Sequence, residues 1–253
     1  MAARDWDRIA ADYFGEIVSP FHAGVPRVLL RALDTIPDAR RKTVADLGCG
    51  MGLLLPELAA RFRRVLAIDF SPAMLARARA ACRQPHVHVR RADLADLSAF
   101  AGHLDVAVTV NAVLTPDPDR IDRIFGELHG VLRARGLLLG VFPAMEPILY
   151  QGYLIHERER RCHAPERARL RTSRILERGR YDFVHGTYRE EDRAQKFFYA
   201  FELTYRLRRA GFRRVRLGRV LYPWDAVGGF EEFPGEPPMW DWLVRARAPR
   251  AAA

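Results

Sequence analysis

The sequence predicts an α/β fold built on a mostly parallel sheet, and three observations carry that prediction. From Thr43 to Phe142, short apolar runs alternate with amphipathic helical stretches five times in series. Parallel strands linked in this way need crossover helices, which cover both faces of the sheet. The run Leu104–Val110 (LDVAVTV) is nearly all apolar, as a strand buried on both faces should be. Polar residues also end or follow successive strands: Asp46, Asp69, Asp93 and Asn111. An open parallel sheet gathers such positions along one crevice, where ligands bind.

Taken in order, Trp6, Ile9, Ala10, Tyr13 and Ile17 fall at helical spacing until Pro20 breaks the pattern. A second helix is expected over His22–Ile36, so residues 1–36 form an N-terminal helical segment. The first strand is Thr43–Leu47. It runs into Gly48, Gly50 and Gly52, which permit positive φ and a close ligand approach. A helix is then expected over Leu53–Phe62, its first amides unpaired and open to a ligand. Strand Arg64–Ile68 ends in Asp69. Ser71-Pro72 opens the next helix, with serine as N-cap and proline in the first turn. Strand His86–Arg90 leads to Ala92-Asp93-Leu94 and a short helix. Leu104–Val110 is the fourth strand, Asp117–Leu132 a helix with Ile121, Ile124, Phe125 and Leu128 inward, and Gly136–Phe142 the fifth strand.

The regularity fails after Pro143. Residues 144–196 are rich in arginine and glutamate, with scattered aromatic residues, and Arg169–Leu176 with Tyr181–Tyr188 about Gly179 reads as a hairpin. This stretch is expected to be a cap, or substrate insertion, over the carboxyl edge of the sheet. The core domain is then 37–143 plus 197–248. It resumes with a helix over Ala200–Ala210, ended by Gly211. Strands Phe212–Leu221 and Trp240–Ala246 bring the total to seven.

Composition narrows the class. At 49% hydrophobic and 28% charged, the chain has ample material for a core. All but Lys42 and Lys196 of its 41 basic residues are arginine, scattered without a block of like charge. The net charge of +10 therefore leaves RNA open as a partner without requiring it. Cys49, Cys82 and Cys162 give no even disulfide framework, which fits a reducing compartment. No signal-peptide core follows the N-terminus, and no run of eighteen apolar residues could span a membrane. A cytoplasmic protein without membrane contact, monomeric or homodimeric, is expected. His156, Cys162 and His163 lack four-ligand spacing, so no metal is expected.

The glycine loop selects the ligand. A dinucleotide fingerprint is G-x-G-x-x-G, with pyrophosphate on the helix amides. Here the spacing is D-x-G-x-G-x-G, with Asp46 in front and Leu53 where the third glycine would stand. A leading carboxylate repels pyrophosphate but receives an ammonium group. This loop, with Asp69-Phe70-Ser71-Pro72 and Met74-Leu75, resembles the class I S-adenosylmethionine-dependent methyltransferases, and within them the small-molecule (type 11/25-like) branch. The resemblance includes Trp6-Asp7-x-x-Ala10-x-x-Tyr13, Glu127-Leu128-His129-x-Val131-Leu132-Arg133-x-x-Gly136 and Glu202-Leu203-x-x-x-Leu207-x-x-Ala210-Gly211-Phe212. Two positions depart from the pattern. Met51 stands where threonine or serine is commoner, and Ala134-Arg135-Gly136 replaces a proline-glycine-glycine turn.

The resemblance implies a Rossmann-like seven-stranded sheet whose last strand is antiparallel, and S-adenosylmethionine as cofactor with S-adenosylhomocysteine as product. It implies that Gly48, Cys49 and Gly50 carry the methionine part, with Asp46 near its amino group. Asp69 would bind the ribose diol, Phe70, Ser71 and Met74 would lie by the adenosine, and Asp93 would accept the adenine amino group between Ala92 and Leu94. Asn111 and Ala112 would line the floor near the sulfonium, and Tyr13 would close the cofactor from the N-terminal side. The implied reaction is methyl transfer to a small-molecule acceptor. An RNA-modifying methyltransferase, or a protein that binds cofactor without catalysis, are the alternatives. A general base is needed only if the acceptor must lose a proton. Tyr13, His22, Tyr150 and His156 are candidates, with Tyr153 and His185 in the same regions, and spacing selects none of them. Aromatic residues in the cap and over Phe197–Phe201 suggest an apolar or planar acceptor.

Overall fold

The computed structural model describes residues 27–178, 181–190, 193–224 and 233–249. Most of the expected N-terminal helical segment, with Tyr13 and His22, lies outside them. Its described part is helix α1, Val28–Asp34, which buries Leu29, Leu30 and Leu33.

The alternating half follows the expected order. Strands β1 (Thr43–Leu47), β2 (Arg64–Asp69), β3 (Val87–Arg91), β4 (Leu104–Val110) and β5 (Leu132–Phe142) are separated by helices α2 (Leu55–Arg61), α3 (Pro72–Ala81) and α4 (Pro118–Gly130). Only a 3-10 turn, Ser98–Phe100, falls between β3 and β4. Ser71 and Asp117 act as N-caps: Ser71 Oγ accepts the Met74 amide at 3.1 Å, and Asp117 Oδ1 accepts the Asp119 amide at 3.0 Å. Helix α2 begins at Leu55 rather than Leu53, because Gly52 is still in the left-handed region with φ 84°. Strand β5 starts four residues earlier than expected. Arg135, where glycine is usual, takes φ 64° there and donates its amide to the Pro249 carbonyl at 3.0 Å.

Residues 144–196 depart most from expectation. Helix α5 spans Glu146–Cys162 and helix α6 spans Pro165–Arg178, so Arg169–Leu176 is helical and not a strand. The stripe that holds α6 down is Ala168 and Thr172, with Leu176 against Gly152 of α5. Small and polar residues at four-residue spacing give little apolar periodicity. Glu159 of α5 pairs with Arg171 of α6, fixing the two helices together. A small antiparallel sheet does follow, slightly later than the expected hairpin: β6 (Tyr181–Asp182), β7 (Thr187–Glu190) and β8 (Arg193–Lys196). Helix α7 (Ala200–Arg209) and strands β9 (Arg213–Tyr222) and β10 (Met239–Arg247) complete the core.

The main sheet has seven strands in the order β3-β2-β1-β4-β5-β10-β9. The pairs β2–β3, β1–β2, β1–β4 and β4–β5 are parallel, while β10 is antiparallel to both β5 and β9. This is the expected sheet with its antiparallel last strand. Successive residues serve opposite faces. Val44, Val65, Val106 and Leu137 join α1, α2 and α3 in one core layer, and Ala45, Leu66, Ala107 and Leu138 join α4 and α7 in the other. Chain order reverses between β1 and β4, so the carboxyl ends of β1, β2 and β4 open onto one crevice.

Candidate active site

The crevice is built from the loop after β1. Gly48, Gly50 and Gly52 all have positive φ, and the amides of Gly48 and Cys49 both donate to the Ile68 carbonyl, at 2.8 and 2.9 Å. A side chain at Gly48 would put its Cβ 2.3 Å from the Ala112 Cβ, so only glycine lets this loop pass the chain as it leaves β4. At Gly50 the same position is open space on the cavity side. Asp69 Oδ2 accepts the Gly50 amide at 2.9 Å, and its Oδ1 accepts the Ser71 amide at 2.9 Å. One carboxylate thus ties the end of β2 to the glycine loop and to the start of α3.

A cavity lies over this arrangement. Among its lining residues are Gly48, Gly50, Asp69, Phe70, Met74, Asp93, Leu94, Asn111 and Ala112. The other expected site residues have supporting places. Asp46 is buried beneath the loop, Ser71 caps α3, and the Ala92 amide donates to the Asp69 carbonyl at 3.1 Å. Cys49 is also buried; its thiol pKa is pushed well up by burial and by Asp46 and Asp69, which leaves it inert.

The carboxylates differ in electrostatics. Asp46 is raised to about 7, first by burial and then by the neighbouring charge of Asp69. A group in that state gains from a cation placed beside it. Asp93 is held below its ordinary value: burial pushes it up, but hydrogen bonds from Arg120 and the Ala95 amide prevail. Arg120 Nη2 lies 2.8 and 2.7 Å from the two Asp93 oxygens. Arg120 also lines the cavity, with Leu114, Thr115 and Ile124. The sequence reading missed it because a basic residue in the first turn of a helix has no motif of its own.

A second polar group lies behind the floor, and sequence spacing gave no hint of it. Asn111, in the left-handed region with φ 46°, donates through Nδ2 to Asp241 Oδ2 at 3.2 Å. Tyr222 donates its hydroxyl to the same oxygen at 2.9 Å, and the Ala144 amide donates to Oδ1 at 3.2 Å. Burial raises Asp241 to about 6 against these three hydrogen bonds, and burial with the Asp241 charge raises Tyr222 well above its ordinary value.

The candidate bases separate. Tyr150 of α5 stacks in tilted geometry near Trp224 and Trp240, with ring centroids 6.4 and 6.2 Å away, and its hydroxyl is buried without a hydrogen-bond partner among the described residues. His156 is turned toward α6, with Nδ1 3.3 Å from Thr172 Oγ1, a packing role. His185 pairs with Asp182 in the turn between β6 and β7, and Tyr153 is 61% exposed.

An S-adenosylmethionine molecule fits this chemistry on the structure's own terms. A glycine at 48 that no side chain could replace lines a cavity edged by the carboxylates of Asp69 and Asp93, with the raised carboxyl of Asp46 buried beneath the same loop. Comparison with known proteins agrees. Residues 44–136 match the model of a methyltransferase domain. Trans-aconitate 2-methyltransferase of Deinococcus radiodurans is 38% identical over 111 residues, covering 43% of this chain and 41% of that protein. The chain thus matches less than half of that relative's length. A chain in the complex of the Haloferax volcanii Trm112 methyltransferase activator with its methyltransferase superposes with TM-score 0.67 at 18% identity, covering 100% of both chains. A SAM-dependent methyltransferase of Methanosarcina mazei gives TM-score 0.59 at 18% identity, covering 83% of this chain and 94% of that one. At such identities the structures speak for the fold alone. Residues 44–136 are similar to a methyltransferase domain, set in a fold shared with S-adenosylmethionine-dependent methyltransferases.

Proposed function

We propose that the protein transfers a methyl group from S-adenosylmethionine to a small-molecule acceptor, and that residues 144–196 form the acceptor side of the site. The observation that supports this is the convergence of the glycine loop and the ends of β2, β3 and β4 on one cavity. In this reading Asp46 faces the cofactor's ammonium group, and Gly48 and Gly50 carry its methionine chain. Asp69 accepts from the ribose, Phe70 and Met74 pack on adenine, and Asp93 takes the adenine amino group beside Leu94. Asn111 and Ala112 form the floor. Bound there, the cofactor supplies a methyl group already activated on sulfur. The chain's own work is to hold the two reactants in line and to exclude water.

Beyond the cofactor residues the cavity is edged by Leu114, Thr115 and Ile124, which suits an apolar compound. Tyr150 packs against Trp224 and Trp240 and is not among the lining residues, so it is the weaker candidate for holding the acceptor's proton. RNA is the weaker alternative. Several arginines are held by acidic partners on this chain: Arg61 by Asp34 and Glu57, Arg133 by Asp105, and Arg206 and Arg209 by Asp122.

Calorimetry with S-adenosylmethionine and S-adenosylhomocysteine, followed by transfer of labelled methyl to a panel of carboxylates including trans-aconitate, phenols, amines and RNA, tests the proposal. Binding of both ligands and methylation of a small molecule is expected. Absence of binding overturns it, labelling of RNA alone moves the function to the alternative, and binding without turnover of any acceptor indicates a silent binding protein.

A further inference from the structure

Asp93 and Arg120 line the same cavity from different elements, and each is tied down by backbone near its own position. Asp93 Oδ1 accepts the Ala95 amide at 2.9 Å in the turn after β3. Arg120 stands in the first turn of α4, where Asp117 Oδ1 accepts its amide at 3.3 Å. Between these fixed points Arg120 Nη2 bridges both Asp93 oxygens, 2.8 Å from Oδ1 and 2.7 Å from Oδ2. One nitrogen spanning two oxygens is not the two-nitrogen fork of the tightest arginine–carboxylate pairs. Both side chains are also open to solvent, so the pair contributes little to the fold. What it does fix is the rotation of the carboxylate. An ionised carboxylate has about four acceptor positions, two on each oxygen. Ala95 and Arg120 take both on Oδ1, and Arg120 takes one on Oδ2. Among the described residues, one acceptor position is left, on Oδ2, in a carboxylate that edges the cavity and is not covered.

We propose that Arg120 is a positioning residue, which holds Asp93 so that its one remaining acceptor position receives a single N–H of the cofactor's base, and so makes the site select a 6-amino over a 6-oxo purine. The inference rests on the cofactor reading above, in which Asp93 meets the adenine amino group. A 6-oxo purine sets a lone pair, not an N–H, against that position. Neither acceptor can then turn away: the purine ring is rigid, and the carboxylate is held at Oδ1 by Ala95 and at both oxygens by Arg120. Without Arg120 the Ala95 amide still holds one oxygen, but the other can swing to water and leave room for the oxo group. Discrimination of this kind comes from the polar groups that the wrong ligand leaves opposed or unpaired.

S-adenosylhomocysteine and S-inosylhomocysteine differ in the base alone, so the ratio of their affinities reads this contact. A merely structural role for Arg120 would weaken both ligands alike. Calorimetry on wild type, Arg120→Met, Asp93→Ala and the double variant tests it. Methionine keeps the apolar stem and removes the donors. At pH 8 a carboxylate this open to water is ionised in either background, so the ratio reports its orientation and not its charge. Wild type is expected to prefer S-adenosylhomocysteine by on the order of a hundredfold. Arg120→Met is expected to lose about tenfold of that preference, with its melting temperature nearly unchanged. The double variant is expected to lose no more than Asp93→Ala, because Arg120 acts through Asp93. An unmoved ratio in Arg120→Met, tighter binding of S-adenosylhomocysteine by it, or a further loss when it is added to Asp93→Ala overturns the proposal. Wild type that binds the two ligands alike also overturns it, since the guanidinium would then be serving the oxo group. Wild type that binds neither ligand overturns the cofactor reading and this inference together, whereas the other adverse results overturn this inference alone.

Discussion

The Asp69 carboxylate spans two backbone amides, accepting Gly50 through Oδ2 and Ser71 through Oδ1, each at 2.9 Å. It therefore shapes the glycine loop as well as facing the cavity. Asp69→Ala removes both acceptors and is expected to lower stability by about 1.5–3 kcal/mol and cofactor affinity by at least about tenfold. Asp69→Asn keeps one acceptor but sets an NH2 group against the other amide, so it should recover little. Thermal melting and calorimetry with S-adenosylhomocysteine measure the two effects separately.

Asp46 gives the site a pH dependence of defined sign. Its folded value of about 7 lies above the ordinary 3.8. The raised group therefore adds stability below the unfolded value, and that stability is lost as pH rises from about 4 through 7. Asp46→Asn should stabilise the cofactor-free protein at pH 8, by up to roughly 3–4 kcal/mol, and change it little at pH 4. Binding of an ammonium group should reverse the preference and draw the proton off. Wild type should release protons on binding S-adenosylmethionine near pH 7, seen as a buffer-dependent heat that Asp46→Asn abolishes.

Asp93 and Arg120 form a pair whose side chains are 41% and 39% exposed. Pairs so open to water contribute about 0–1 kcal/mol. Asp93→Ala should leave the melting temperature nearly unchanged while weakening both cofactor forms about tenfold through the lost adenine contact. An equal loss of stability and affinity would show that the pair holds the fold rather than the ligand.

Phe198 is packed edge-on to Phe142, with centroids 5.6 Å apart, and lies 6.0 Å from Phe125. All three side chains are fully buried between the sheet and α4. Phe198→Ala should cost about 3–5 kcal/mol, read as a lower denaturation midpoint with an unchanged slope.

The parts of this molecule that were legible in the sequence are those with strong local signals. Val44, Val65 and Val106 sit in strands because apolar runs bounded by turns have few other solutions, and Ser71-Pro72 and Asp117 mark helix starts by their own chemistry. The glycine loop carried its ligand in its spacing. Helix α6 was misread because what buries it, Ala168 and Thr172, is too small and too polar to register as an apolar stripe. Asp241 was illegible for a different reason. It stands 130 positions from Asn111, and only the antiparallel return of β10 beside β5 brings the two together. Arg120 likewise meets Asp93 only because α4 starts near the end of β3.

The junction at Phe198 has a further consequence. Its amide donates to the Pro143 carbonyl at 2.7 Å, and its carbonyl accepts the Met145 amide at 3.1 Å. The chain thus departs after Pro143 and returns at Phe198 within one residue's width, while Met145 and Ile148 stay buried in the core and Glu146 accepts from Trp242 Nε1 and the Ala200 amide. The root of the excursion therefore belongs to the frame, and what can be exchanged lies beyond it. Replacing α6 by a foreign helix that keeps the contact with Gly152 would be the direct way to give this scaffold a new client.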